Sequence, residues 1–107
     1  MSTDNPVLDT LTDMTAASVD HNSLTPREFM MARLAAMVAV DAPPISYFVS
    51  ASAIEESGLT AEDIQGVMIA VAPVTGAPRV MSAGGHILRA LGIAVAVAES
   101  EMDAEGS

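Results

Sequence analysis

"TPREFMMARLAAMVAVDAPPISYFVS", residues 25–50, contains the two signals that decide the fold of this chain. The first is a helix start. Thr25 supplies an N-cap hydroxyl, Pro26 sits at the first helical position, and Glu28 falls three residues after the cap. The second is a helix stop. Pro43 and Pro44 have no amide donor and clash with a preceding turn, so the helix opened at Pro26 ends before them. Between the two signals nearly every residue from Phe29 to Val40 is apolar, Arg33 excepted. A helix apolar on every side predicts cover on every side. A chain of 107 residues buries only about 60–70% of its unfolded surface, so it does not readily surround such a helix alone. A second copy is the simplest cover, and a homo-oligomer is expected.

The remaining elements follow outward from this pair. "PVLDTLTDMTAASV", residues 6–19, spaces Val7, Leu8, Leu11 and Met14 as one stripe of a helix with an acidic face. A third helix is expected from Ile45 to Ser57, with Gly58 as its C-terminal cap residue. Thr60 followed by Asp63 opens a fourth over roughly 61–72, its apolar side carrying Ile64, Val67, Met68 and Val71. Pro73 is expected to kink or stop it. Pro78 can open a fifth helix reaching about Leu91. Gly84 and Gly85 weaken that helix by about 1 kcal/mol each relative to alanine, or mark a close backbone approach. Residues 93–98 suit a helix or a strand equally. The expectation is an all-α chain of about five helices. It has an acidic N-terminal segment with one helix (1–23), a helical domain (24–98) and an acidic disordered tail (99–107).

Composition excludes several functions. The net charge is −10, and the four bases are Arg27, Arg33, Arg79 and Arg89. No basic patch exists to neutralise phosphates, which argues against nucleic acid as a partner. The absence of cysteine removes disulfides, thiolate metal sites and any thiol redox chemistry by this chain alone. His21 and His86 do not have metal-ligand spacing, so no metal and no cofactor is expected. The N-terminus lacks a basic region followed by an apolar run, and "GVMIAVAPVTGAPRV" is too short and too broken by Pro73, Gly76 and Pro78 to span a membrane. A cytoplasmic protein without a membrane partner is expected.

"LTPREFMMARLAAMVAV" at 24–40 and "ESGLTAEDIQGVMIAVAPVTGAPRVMSA" at 56–83 resemble the carboxymuconolactone decarboxylase family, which includes the alkylhydroperoxidase D proteins. The likeness covers residues 24–92. It implies an alkylhydroperoxidase D-like helical fold whose helices pair across subunits, here as a trimer or hexamer, with a pocket near the start of the third helix. In the redox branch that pocket holds a C-x-x-C pair, a histidine four residues on, and a glutamate from the preceding helix. Laid without gaps on Gly58, the cysteine positions fall on Pro43 and Ser46, the histidine on Ser50, and the glutamate at or near Met30, with Glu28 close by. A serine hydroxyl forms no disulfide and is far too weak an acid to replace a thiolate, so peroxidase chemistry fails. The decarboxylase branch keeps the histidine, so Ser50 removes its acid–base group as well.

Seven residues remain as candidates for a ligand pocket, and no catalytic role is assigned to any. Ser46 and Ser50, one turn apart, either bond a ligand or are small interface residues bonded to carbonyls. Arg33, amid apolar neighbours, needs a partner: a ligand carboxylate, or Glu28, Glu55 or Glu56. Arg79, in a first helical turn where the dipole disfavours a cation, points to a specific contact or an ion pair. His86 is a candidate base or an interfacial residue, and Tyr47 a candidate roof. Only Glu55, Glu28, His86 and Tyr47 are eligible as a general acid or base. The expectation is a non-redox homo-oligomer that binds a small ligand, such as an organic acid, or assists another protein. The alternative is a lyase or isomerase acting on a small carboxylated or lactone substrate.

Overall fold

A computed structural model describes residues 5–106. Residues 1–4 of the expected acidic segment and Ser107 of the expected tail lie outside the described residues. The described chain is all-helical: α1 (Pro6–His21), α2 (Pro26–Ala39), α3 (Pro44–Glu56), α4 (Ala61–Thr75) and α5 (Ala77–Gly106).

The starts are where local chemistry puts them. Asn5 caps α1 by accepting from the Leu8 amide at 3.1 Å. In α2 the Glu28 amide donates to the Thr25 hydroxyl at 3.1 Å while the Thr25 amide donates to the Glu28 carboxylate at 2.9 Å. Thr60 and Asp63 repeat the same box at α4. Such caps are worth about 1 kcal/mol each. α3 starts differently: Pro43 is the N-cap without a side-chain bond, and Pro44 takes the first helical position. Gly58 (φ +84°) and Gly76 (φ +89°) supply left-handed turns after α3 and α4.

α2 is not covered on all sides. Met30, Leu34 and Val38 are buried, while Ala32, Ala36 and Ala39 face out, and such small side chains expose little apolar area. α4 does not stop at Pro73 but runs to Thr75, because the lost amide falls in the last turn, where few helical bonds remain to break. α5 starts at Ala77 and continues through Gly106, so 93–98 are helical, and the helix extends over residues expected to form a disordered tail. No close backbone approach explains the two glycines: a Cβ at Gly84 would meet Met68 Cε at an ordinary 3.6 Å, and one at Gly85 would meet nothing within 4 Å.

The body pairs α2 with α4 and α3 with α5, and α4 also packs on α5. Leu34 and Val38 are fully buried at its centre, beside Tyr47, Val67, Ala83 and Ala90. α1 packs on none of the other helices, and its Val7, Leu8, Leu11 and Met14 are all exposed. The molecule is therefore elongated. Its radius of gyration is 15.7 Å, against roughly 13 Å for a compact chain of this length.

Candidate functional site

A cavity of about 220 Å³ lies between α3 and α5. Tyr47, Ala51, Ile54 and Glu55 share one face of α3 at the spacing i, i+4, i+7, i+8, and all line it. Ile87 and Ala90 face them from α5, and Leu34 closes the inner side. The space arises because small side chains, Ala51 and Ala90, stand where larger ones would fill the contact. Almost the whole wall is apolar, the polar exceptions being Tyr47 and Glu55.

Tyr47 is 4% exposed, and its hydroxyl has no hydrogen-bond partner among the described residues. Burial, and secondarily the negative charge of Asp41, push its pKa above the ordinary value, so the hydroxyl keeps its proton at neutral pH. An unmatched buried hydroxyl costs about 1–3 kcal/mol. Glu55, two turns on, is exposed at the rim. Leu59, beyond the Gly58 turn, and Ile64 also line it.

Arg33 is half-exposed, lies 5.4 Å from the centroid of the Phe29 ring, and forms no ion pair among the described residues. It stacks on an aromatic face one turn away, so the acidic partner expected of it is not needed. Arg33 does not line the cavity. Ser46 and Ser50 are half-buried on the neighbouring face of α3, make no hydroxyl hydrogen bond among the described residues, and do not line it either. Arg79 is exposed and outside it. Of the seven candidates the cavity gathers only Tyr47 and Glu55, and it offers a small organic acid no cation.

The paired arginine is Arg27, which sequence reading passed over. Its guanidinium donates to Asp63 at 2.7 Å and to the Gly58 carbonyl at 3.1 Å, tying the start of α2 to the start of α4. That contact, with the Thr60 amide, holds the Asp63 carboxyl down at about 2.

His86 belongs to a second polar group. Its Nδ1 lies 2.9 Å from the Ala42 carbonyl and 3.8 Å from the Asp41 carboxylate, and Ser82 donates to that carboxylate at 2.6 Å. A carbonyl only accepts, so Nδ1 carries the proton. Serine, histidine and aspartate meet here, but the serine hydroxyl bonds the aspartate and not the histidine. The imidazole does not stand against the serine oxygen, whose partner is the weakly basic Asp41 carboxylate, so the group is not a serine–histidine–aspartate triad. It pins α5 to the α2–α3 turn, where Asp41 itself takes a left-handed φ of +56°. His86 does not line the cavity.

The sequence profile of the carboxymuconolactone decarboxylase family matches residues 5–90. The chain belongs to this family. The match takes in α1 to α4 and the first part of α5, as far as Ala90. No characterised protein and no solved structure gives a significant match. Among the described residues of this family member no three histidine, aspartate or glutamate side chains converge as metal ligands, and no helix is long and apolar enough to cross a membrane.

Proposed function

We propose that this carboxymuconolactone decarboxylase family member is a non-redox protein that binds a small, mostly apolar molecule in the α3–α5 cavity. The observation that carries the reading is the apolar space itself, about 220 Å³ between α3 and α5 with Tyr47, Ala51 and Ile54 in its wall. About 150 Å³ of such space accommodates a benzene ring, so about 220 Å³ accommodates one ring with a short substituent. The chain has no cysteine, so its own residues supply no disulfide step. A lyase or isomerase mechanism would have Tyr47 and Glu55 as its acid–base pair. A tyrosine that holds its proton above the ordinary range is poorly matched to proton transfer at neutral pH, which favours binding over turnover. Titration with single-ring phenols and alkylbenzenes, followed by ¹H–¹³C methyl spectra, tests the reading. Shifts confined to the Leu34, Ile54 and Ile87 methyls, lost in Ala51→Leu, are expected. No saturable shift at millimolar ligand would refute it.

We propose also that the protein works as a homo-oligomer, a trimer or hexamer. The support is the apolar surface one chain leaves in water: the α1 stripe, with Ile69 and Val74 on α4 and Met81 and Leu88 on α5. Surfaces of this extent on a small chain mark contact sites. Light scattering that finds a stable monomer at micromolar concentration would refute this.

A further inference from the structure

α1 has an apolar stripe and no cover. It packs on none of the other helices, yet Val7, Leu8, Leu11 and Met14 lie within about 60° of one line along it, and each is more than half exposed. Asp9, Asp13 and Asp20 fall on the opposite side. An isolated helix of 16 residues is marginal in water, and Thr10, Thr12 and Thr15 are weak helix formers, so α1 needs an apolar partner to persist. Its own body is not that partner, because the elbow to α2 is fastened. The Asn22 side-chain amide donates to the Ser18 and Val19 carbonyls at 2.8 and 2.9 Å, its oxygen accepts from the Leu24 amide at 2.9 Å, and Thr25 is committed to the α2 capping box. Folding α1 back would break these bonds. A membrane surface does not suit it either: helices that lie on lipid carry lysine and arginine on the polar face, and this one carries aspartates.

We infer that α1 pairs antiparallel with α1 of a second copy, about a two-fold axis between Leu11 and Met14. The inference rests on the homo-oligomer reading above and names the contact within it. The axis sets Leu11 against the partner's Met14, and Val7 against the partner's Ser18. In that register the two stripes cover each other, while both acidic faces stay in water and apart. It also brings the N-terminal end of the partner's α1 to the C-terminal end of this one, where a groove of about 470 Å³ opens beside Val19. Leu24, Phe29, Met30 and Ala53 give the groove apolar walls that suit the partner's Val7 and the partner's Leu8. Glu56, also in its wall, supplies a carboxylate where the positive end of the partner's α1 dipole arrives. Of the two assemblies proposed above, a ring of three has no two-fold axis, so this contact selects the hexamer.

The chain has no cysteine, so introduced thiols report the register cleanly. After Val7→Cys and Ser18→Cys chains are refolded together, a short bis-maleimide is expected to join one to the other, and to join Val7→Cys chains to themselves hardly at all. Leu11→Asp puts two carboxylates beside the axis. It is expected to halve the particle mass in light scattering at micromolar concentration and to make the α1 amides exchange fast. The amides of the packed body are expected to stay protected, since α1 touches none of its helices. Asp13→Ala, on the opposite face, is expected to change neither mass nor exchange. Unchanged mass in Leu11→Asp, or efficient joining of Val7→Cys chains to themselves, would overturn the inference and leave the homo-oligomer reading intact. A wild-type monomer would remove both.

Discussion

Replacing Tyr47 by phenylalanine is expected to make the free protein more stable, not less. Tyr47 is only 4% exposed, and the substitution keeps its ring in place. What it removes is a hydroxyl with no hydrogen-bond partner among the described residues. A paired buried hydroxyl stabilises a fold by about 1 kcal/mol, whereas an unmatched one costs about 1–3 kcal/mol of desolvation. The sign therefore reverses, and a gain of about 1–3 kcal/mol is expected for Tyr47→Phe. A chain of this size has a urea slope of about 1–2 kcal/mol per molar, so the midpoint should rise by about 1 M. Far-UV circular dichroism suits the measurement, because the chain has no tryptophan and the variant removes its one tyrosine. Wild type and variant must be compared at one protein concentration, since association of native chains shifts the midpoint by mass action. A midpoint that falls or stays put would refute the reasoning, because it would mean that the hydroxyl is satisfied in solution.

Arg33→Met should lose only the stacking on Phe29, about 0.5–1 kcal/mol, and a urea melt showing a loss of 3–5 kcal/mol would reveal a buried ionic partner. The Asp63 carboxyl, lowered from its ordinary 3.8 to about 2, contributes stability that is fully present above about pH 4 and lost as pH falls through about 2. Carboxyl ¹³C titration reads that pKa directly, and Arg27→Ala should move it upward. Gly85→Ala, in open space mid-helix, should raise stability by about 0.5–1 kcal/mol, and a drop in the melt would show a neighbouring chain closing on that face. The pure protein with an organic hydroperoxide and a dithiol should give no turnover above the buffer blank, since Pro43 and Ser46 cannot cycle a disulfide.

The helix starts were legible because their causes are local. Thr25 with Glu28, and Thr60 with Asp63, are read and formed within four residues. What sequence reading misplaced depends on which face of a helix meets which neighbour. Apolar neighbours in sequence suggested that Arg33 was buried, yet its helix turns it to the side where Phe29 offers a ring at i−4. That i, i+4 pair was visible and was the better signal. The partners of Arg27, by contrast, lie 31 and 36 positions away, and those of His86 and Ser82 more than 40. No local spacing announces them, although Ser82 and His86 at i, i+4 already shared a face of α5. The cavity was half legible: Tyr47 and Glu55 were named, but the space between them comes from Ala51 facing Ala90, two alanines unremarkable in sequence.

The displacement of the site around α3 bears most directly on function. Pro43, Ser46 and Ser50 stand where the family likeness puts redox and acid–base groups. Tyr47 and Ala51 face the cavity, each one residue beyond Ser46 or Ser50. One residue along a helix is a rotation of about 100°, so the two sets occupy adjacent faces and not a common one. The double proline is then explained by folding alone: Pro43 caps α3 and Pro44 fills its first position, where a missing amide costs nothing. The turn before it is held by Asp41, Ser82 and His86, polar groups occupied with one another and with the Ala42 carbonyl. The face of α3 that carries Ser46 and Ser50 thus lies beside the one on which Tyr47 and Glu55 border the cavity. On the proposed reading, the ligand site lies on the face of α3 beside the one the likeness points to, where Ala51 leaves room against α5.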